Sequence, residues 1–254
     1  ETGGICRIFS NDGLRYYTST YTGDCINEFI LSAPFELDNA VWNHRVYLNN
    51  ESSSNYGPVI KQSFAASLGT PECMRFNNDG TKLFVLGRSS RGIKEFHLST
   101  AFDLTTISYD SNYSIGGQET SPYNLSFNAD GTRMQVSGAT GDGVDQYVLS
   151  TGFDVSTASF VGNFSVSSQD TAPNGLAFNN DGTKMFVVGV LGDDVNEYTL
   201  STAFDVSTSP FVDSFDISSQ ENSPTGLAFN NDGTKMFIVG TTGDAVYESC
   251  SSDY

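Results

Sequence analysis

Short apolar runs alternate with polar turn clusters along the whole chain, and the alternation itself repeats. Segments 71–80, 122–131, 173–182 and 224–233 each open on Pro, pass through strand-like apolar positions to a Phe, and end on Asn-(Asn or Ala)-Asp-Gly. Their turn glycines, Gly80, Gly131, Gly182 and Gly233, recur with a period of 51. A weaker copy, Ile8–Gly13, opens the chain, and its distance to Gly80 exceeds that period, so the first repeat is longer than the others. Asp-Gly between apolar runs signals a hairpin, because Gly accepts the positive φ that the turn requires. In the fourth repeat a second strand follows at Lys184–Val188 and a second turn at Gly192-Asp193. The third strand is Val195–Leu200, and a polar connection runs over Ser201–Ser207. A fourth strand is read at Phe160–Val166 of the preceding repeat.

Four antiparallel strands per repeat make a propeller blade, whose two apolar faces are covered only by neighbouring blades. The pattern therefore predicts an all-β chain, a single five-bladed β-propeller with blades of about 51 residues. The repeats fall at about 4–70, 71–121, 122–172, 173–223 and 224–254, with an insertion at about 41–58 in the first. The fifth copy reaches Tyr254 after its third strand; the last blade is incomplete, or the protein continues. A β-solenoid fits less well, because its coils are shorter and lack hairpins. Glu1-Thr2-Gly3 reads as the scar of a cleaved secretion signal and is set aside. The segment Leu176–Val188, with its strand, Asp-Gly turn and strand, resembles the signature of the YVTN/Tol-type propeller repeats, distant relatives of WD repeats. That resemblance implies the fold and leaves function open, since such repeats serve enzymes, adhesins, lectins and scaffolds alike.

Composition narrows the partners. The formal charge is −18 over 254 residues, which argues against nucleic acid and anionic membranes as ligands. No apolar stretch approaches the length of a membrane helix. Asn-x-Ser sequons at Asn50, Asn112, Asn124 and Asn163 fit a secreted or cell-surface glycoprotein. Four cysteines without metal-knuckle spacing suggest two disulfides in that setting. Of the three pairings, Cys6–Cys250 with Cys25–Cys73 would fasten the first repeat to the last and to the second.

Candidate chemistry sits in four places. Asp24, Asp142, Asp193 and Asp244 recur at the second turn, and Glu119, Asp170 and Glu221 follow a repeated Gln. Converging carboxylates of this kind could hold Ca²⁺, which takes six to eight oxygens. Turn chemistry is the plainer account, since Asp and Asn bond their own backbone. Arg15, Lys82, Arg133, Lys184 and Lys235 each stand second after a turn Gly. They are read as partners of the preceding Asp or of a neighbouring blade. Trp42, His44, Arg45, Tyr47 and Tyr56 fall in the first-repeat insertion and are the candidate ligand-binding residues, because Trp, Tyr and Arg dominate binding hot spots. A solvated loop with tucked aromatics is the alternative.

These features point to an extracellular recognition module for a glycan or a protein. The five-bladed tachylectin type of lectin, which this architecture is similar to, gains avidity from repeated weak sites. An assembly role through an open blade edge and a hydrolase are the alternatives. Catalysis is not expected: Gly-x-Ser-x-Gly, His-Glu-x-x-His and phosphate-loop motifs are missing, and near-identical repeated acids lack the asymmetry that catalysis needs. No cofactor is required beyond the Ca²⁺ option.

Overall fold

The computed structural model describes residues 4–20, 25–48, 59–61, 69–230, 232–243 and 246–250. All of its regular structure is strand, apart from four single-turn 3-10 segments. The strands form five sheets in chain order, the blades of a β-propeller. The first sheet contains β1 (Gly4–Phe9), β2 (Arg15–Thr20), β3 (Cys25–Ile30), β4 (Val41–Tyr47) and β5 (Val59–Lys61). The second contains β6 (Pro71–Phe76), β7 (Lys82–Gly87), β8 (Gly92–Leu98) and β9 (Ile107–Ser114). The third contains β10 (Pro122–Phe127), β11 (Arg133–Gly138), β12 (Gly143–Leu149) and β13 (Ala158–Ser165). The fourth contains β14 (Pro173–Phe178), β15 (Lys184–Gly189), β16 (Asp194–Thr199) and β17 (Phe211–Asp216). The fifth has three strands, β18 (Pro224–Phe229), β19 (Lys235–Gly240) and β20 (Val246–Cys250). Neighbouring strands pair antiparallel, except that β5 lies parallel to β4. The chain divides into two compact units: residues 1–117 with 153–158, and residues 118–152 with 159–254.

One expectation is corrected here. Val41–Tyr47 is the fourth strand of the first blade, not part of a loop insertion. Trp42 precedes Tyr109 by the same offset that separates Gly13 from Gly80, and it is paired opposite Phe29 as Tyr109 is opposite Phe96. The extra length of the first repeat therefore follows Tyr47, in a stretch of which only Leu48 and β5 are described.

In the second unit β15 shows why the second strands read as unbroken apolar runs. Met185 and Val187 point into one core with Leu176, Tyr198, Leu200 and Val206. Phe186 and Val188 point into another with Val195, Ile217, Met236 and Ile238. Period-2 alternation feeds both faces, and both are buried. In the first unit Met74, Leu83, Phe84, Val85, Phe96 and Leu104 are all fully buried, and Phe76 packs between Tyr17 and Phe102 at 5.0 and 5.1 Å.

The Asn-Asp-Gly hairpins are built alike. Asp181 Oδ1 accepts from Thr183 N at 3.0 Å and from its hydroxyl at 2.6 Å. Asn179 Oδ1 accepts from Lys184 N at 2.9 Å. These are the side-chain-to-backbone bonds that make Asx turns. The turn glycine has φ near +70° in every copy. In three copies the Phe of the loop between third and fourth strands lies flat against it: Phe35 on Gly13, Phe102 on Gly80 and Phe204 on Gly182. A Cβ at Gly80 would both strain the backbone and collide with the Phe102 ring. Gly80→Ala is expected to cost about 2–4 kcal/mol, measured as a shift in denaturant midpoint.

Candidate functional site

The connection between third and fourth strands, read from the sequence as polar, is the most structured loop of the repeat. Its Phe takes a left-handed backbone: φ is 61° at Phe102, 56° at Phe153 and 57° at Phe204. The Phe102 and Phe204 amides donate to Gly80 O and Gly182 O at 2.9 and 2.8 Å. An Asp follows and caps a single 3-10 turn; Asp103, Asp154 and Asp205 accept from the backbone amides of Thr105, Ser156 and Ser207. The next residue, Leu104, Val155 or Val206, is almost wholly buried.

Each such turn seats in a slot on the preceding blade, and the slot's floor is polar. The backbone N–H of Leu104 donates to Glu28 Oε2 at 3.2 Å, that of Val155 to Glu95 Oε2 at 2.9 Å, and that of Val206 to Gln146 Oε1 at 2.7 Å. The preceding carbonyl is met as well: Phe102 O accepts from the Tyr17 hydroxyl, Phe153 O from Lys82 Nζ at 2.7 Å, and Phe204 O from Gln135 Nε2 at 3.0 Å. The repeated basic residue completes the slot. Arg15 pairs with Glu28 at 2.5 Å, Lys82 with Glu95 at 2.5 Å, Lys184 with Glu197 at 2.8 Å and Lys235 with Glu248 at 2.6 Å. The partner is thus an acid across the second and third strands of the same blade, and not the preceding turn Asp. Arg133, whose counterpart acid is Gln146, reaches Asp205 of the following turn at 3.3 Å instead.

Burial pushes the Glu95 carboxyl up, opposed by its bonds from Lys82 and Val155. The slot needs an acceptor more than it needs a charge, as Gln146 demonstrates. Glu95→Gln is expected to change stability by less than about 1 kcal/mol, while Glu95→Ala, which strands the Val155 amide and the Lys82 ammonium, should cost about 3 kcal/mol; chemical denaturation of the pair of variants checks the difference.

In the second unit, the fourth blade repeats the side chains of the second blade's slot: Lys184, Phe186 and Glu197 stand where Lys82, Phe84 and Glu95 do. Phe186, Val195, Glu197, Asp213 and Met236 are among the residues that line a cavity in this unit. The Glu197 side chain is 19% exposed where Glu95 is 1% exposed.

The second acidic series is structural. Glu119, Asp170 and Glu221 are buried, and each accepts backbone amides of the second hairpin turn: Thr140 at 3.1 Å for Glu119, Gly192 at 2.8 Å for Asp170, and Gly243 at 2.9 Å for Glu221. Burial works to raise Glu221, and the amides of Gly243, Ser223 and Thr242 outweigh it, leaving its carboxyl below the usual range. A side chain at Gly189 or Gly240 would occupy the place of Asp170 or Glu221. Two further acids are held differently. Burial pushes up Asp145, opposed by hydrogen bonding from Asn163, whose Nδ2 donates at 2.9 Å, and from Tyr147. Burial, joined by the Asp170 and Asp216 charges, pushes up half-buried Asp194, which accepts from Asn196 Nδ2 at 2.7 Å.

A raised acid penalises the charged fold above its unfolded pKa, and the penalty fades as pH falls through the folded pKa. Asp145→Asn, the residue at this position in the first and fourth repeats (Asn27, Asn196), is therefore expected to stabilise the protein by about 1 kcal/mol at neutral pH. The gain should shrink in melts taken at progressively lower pH.

The remaining sequence candidates fall as follows. His44, Arg45 and Tyr47 are buried. His44 Nε2 sits 3.4 Å from Glu28 Oε2, an electrostatic contact within the first slot, and Arg45 Nε donates to Asn27 at 2.7 Å. Trp42 is half-buried, and Tyr56 lies outside the described residues. Asp142 and Asp193 hold left-handed turn positions with φ of 46° and 52°, where Arg91 stands in the second blade; Asp24 and Asp244 lie outside the described residues. Among the described residues no three His, Cys, Asp or Glu are grouped to hold a metal. Asn112 and Asn163 are exposed on outer strands, Asn124 is half-buried on β10, and Asn50 lies outside the described residues.

Of the expected cysteine pairs, Cys25–Cys73 is not formed, and Cys6–Cys250 lies in part outside the described residues. Cys6, Cys25 and Cys73 are buried thiols, and the Cys250 side chain lies outside the described residues. Cys25 Sγ contacts the Thr20 hydroxyl at 3.0 Å. Cys6 faces Cys73 from the neighbouring first strand, both within 3.9 Å of Met74 O. Hydrogen bonding to Cys73, then burial, pushes the Cys6 thiol up.

Comparison with family models finds no match, and comparison with curated proteins finds none either. The repeat family suggested by the Asp-Gly signature therefore gains no support beyond the fold. Solved structures do match over nearly the whole chain. A Bacteroides fragilis protein provisionally named a 6-phosphogluconolactonase is 13% identical, with 96% of this chain and 79% of that one covered and a TM-score of 0.66. The periplasmic gluconolactonase of Pseudomonas aeruginosa is 11% identical, with 99% and 68% covered and a TM-score of 0.61. A chain of a nidogen/laminin complex is 11% identical, with 98% and 76% covered and a TM-score of 0.61. At these identities the likeness is one of fold.

The exclusion of enzyme chemistry is corrected by these neighbours. Missing motifs speak only to the chemistries those motifs serve, and proteins of this fold are named lactonases. The argument from symmetry fails too, since it weighed only the repeated acids: Asp145 and Asp194 stand outside both repeated series, and burial raises them, whereas Glu221 is lowered.

Proposed function

We propose that the chain is a recognition module for a protein ligand, secreted or displayed at a cell surface. The observation that carries this reading is the exposed placement of the sequons at Asn112 and Asn163, which supports glycan attachment and an extracellular setting. The nidogen/laminin neighbour, a protein of this fold within a complex, supports it as well. Expression through a secretory route, followed by panning a library of extracellular protein fragments on the immobilised chain, tests the reading. Glycan at Asn112 and Asn163 and saturable binders are expected; an unglycosylated chain that yields no binder overturns it.

A second reading is hydrolysis of a sugar lactone, favoured by the lactonase neighbours and by Asp194. Its raised carboxyl, half-buried beside Asp170, suits a group that gives or takes a proton. Turnover of a panel of aldonolactones that is lost in Asp194→Asn would establish this reading.

A further inference from the structure

The first strands of neighbouring blades come close at one repeated position, and in the first two blades that position holds two cysteines. We propose that Cys6 and Cys73 are an oxidisable pair, closing into a disulfide between β1 and β6 when the protein meets a disulfide oxidant and reverting to thiols under reductant. Each stands seven residues before the turn glycine of its hairpin, Gly13 or Gly80. The pair is a modification site in its own right and does not depend on which ligand the chain takes.

The first strand of every blade breaks register here. Pairing shifts between Gly4 and Arg7, Pro71 and Cys73, Pro122 and Asn124, Pro173 and Gly175, and Pro224 and Gly226. Such a bulge bends the strand and re-aims a side chain. The second unit shows how near neighbouring strands then lie, because glycines hold the position there: a Cβ on Gly175 would stand 3.0 Å from the Gly226 Cα. A disulfide spans Cα atoms about 4.4–6.8 Å apart, so cysteines at this position in adjacent blades are within bonding reach. In the first unit the two thiols are hydrogen-bonded to each other. The Met74 N–H donates to Cys6 Sγ at 3.1 Å. The Cys6 N–H donates to Ser19 Oγ at 3.0 Å, and that hydroxyl donates to Pro71 O at 3.1 Å. The two blades are thus hydrogen-bonded around the pair, which holds the sulfurs together. Cys25 is placed otherwise, on β3 with its Sγ against the Thr20 hydroxyl.

The surroundings suit thiol exchange. The Arg75 guanidinium donates to Met74 O at 2.8 Å and lies close enough to both sulfurs for its charge to favour their thiolate forms. The oxidant is a low-molecular-weight disulfide. One cysteine thiolate attacks a sulfur of that reagent, the reagent's S–S bond breaks, and the departing thiolate takes the proton that the cysteine gave up. The second cysteine then attacks the protein-side sulfur of the mixed disulfide and expels a second thiol in the same way. The protein loses two electrons and two protons, and the oxidant becomes two thiols. The new bond closes a loop from residue 6 to residue 73, which restricts the unfolded chain and fastens the first blade to the second.

The test equilibrates the purified chain in glutathione buffers of graded ratio, quenches with acid, alkylates in denaturant and maps the tryptic peptides. Cleavage after Arg and Lys places the four cysteines in separate peptides, 1–7, 16–45, 62–75 and 236–254. Under oxidising ratios peptides 1–7 and 62–75 are expected to be joined, and under reducing ratios to separate. The oxidised chain should also show an unfolding equilibrium constant about a hundredfold smaller than the reduced chain in denaturant melts, a difference lost in Cys73→Ser. The map of the unaltered chain requires no variant to fold, and a second variant that combines Cys25→Ser with Cys250→Ser should keep the cross-link. Peptide 1–7 joined to 236–254, peptide 62–75 joined to 16–45, or Cys6 and Cys73 both alkylated at every ratio overturns the proposal.

Discussion

Everything repetitive in this molecule turns on one contact, a backbone amide from one repeat seated on a side-chain acceptor of the repeat before it. The turn that delivers the amide is rigid by construction. Its Phe is held at positive φ against a glycine that has no Cβ, and its Asp closes a single 3-10 turn. The acceptor is equally fixed, being diagonal across paired strands from the basic residue that holds it. Because an amide left unmet in such a site is costly, the contact sets the register between successive repeats, and the apolar faces then pack around it. The two hydrophobic clusters on either side of β15 follow from this spacing.

Much of this is legible from the chain alone. The period of 51, the Asp-Gly hairpins and the alternation in the strands are local properties, and they predict blades and their order correctly. The slot is harder to read, although its parts are visible. A Phe recurs at one fixed distance after the first four turn glycines, inside a stretch that is otherwise polar, and an acid or amide recurs at a fixed distance after each basic residue. An apolar residue kept in a polar loop is a sign that the loop is buried somewhere. What the chain does not reveal is the destination, which lies in the preceding repeat, distant in sequence. The first blade misleads for a related reason. Its longer connection hides the offset between the first two repeats beyond the first hairpin. Trp42 and His44 therefore read as loop residues, whereas they are strand residues with counterparts at Tyr109 and Ser111.

The acids show how far repetition can deceive. Glu119, Asp170 and Glu221 fall at one position and hold the turn that follows the second strand. Asp145 occupies a position where neighbouring repeats carry Asn or Lys, and Asp194 one where others carry Gly, Cys or Ala. The first group is met by amides, and the charge is welcome there; the other two are pushed toward the neutral form by burial. A sequence count merges these into one acidic field, while the environments separate them into scaffold and reactive candidates.

How much a repeated basic–acid pair contributes depends on what covers it. An exposed Lys–Glu pair contributes little, because water screens it. The pair at Lys82 and Glu95 is buried under Phe153 and Val155, and there a carboxylate without its amide would be a heavy penalty. Lys184 and Glu197 sit between these limits, paired and only partly covered. Covering such a pair without bringing an N–H to the acid would remove its hydration and supply nothing polar in return, and that cost fixes the register of the occupied copies.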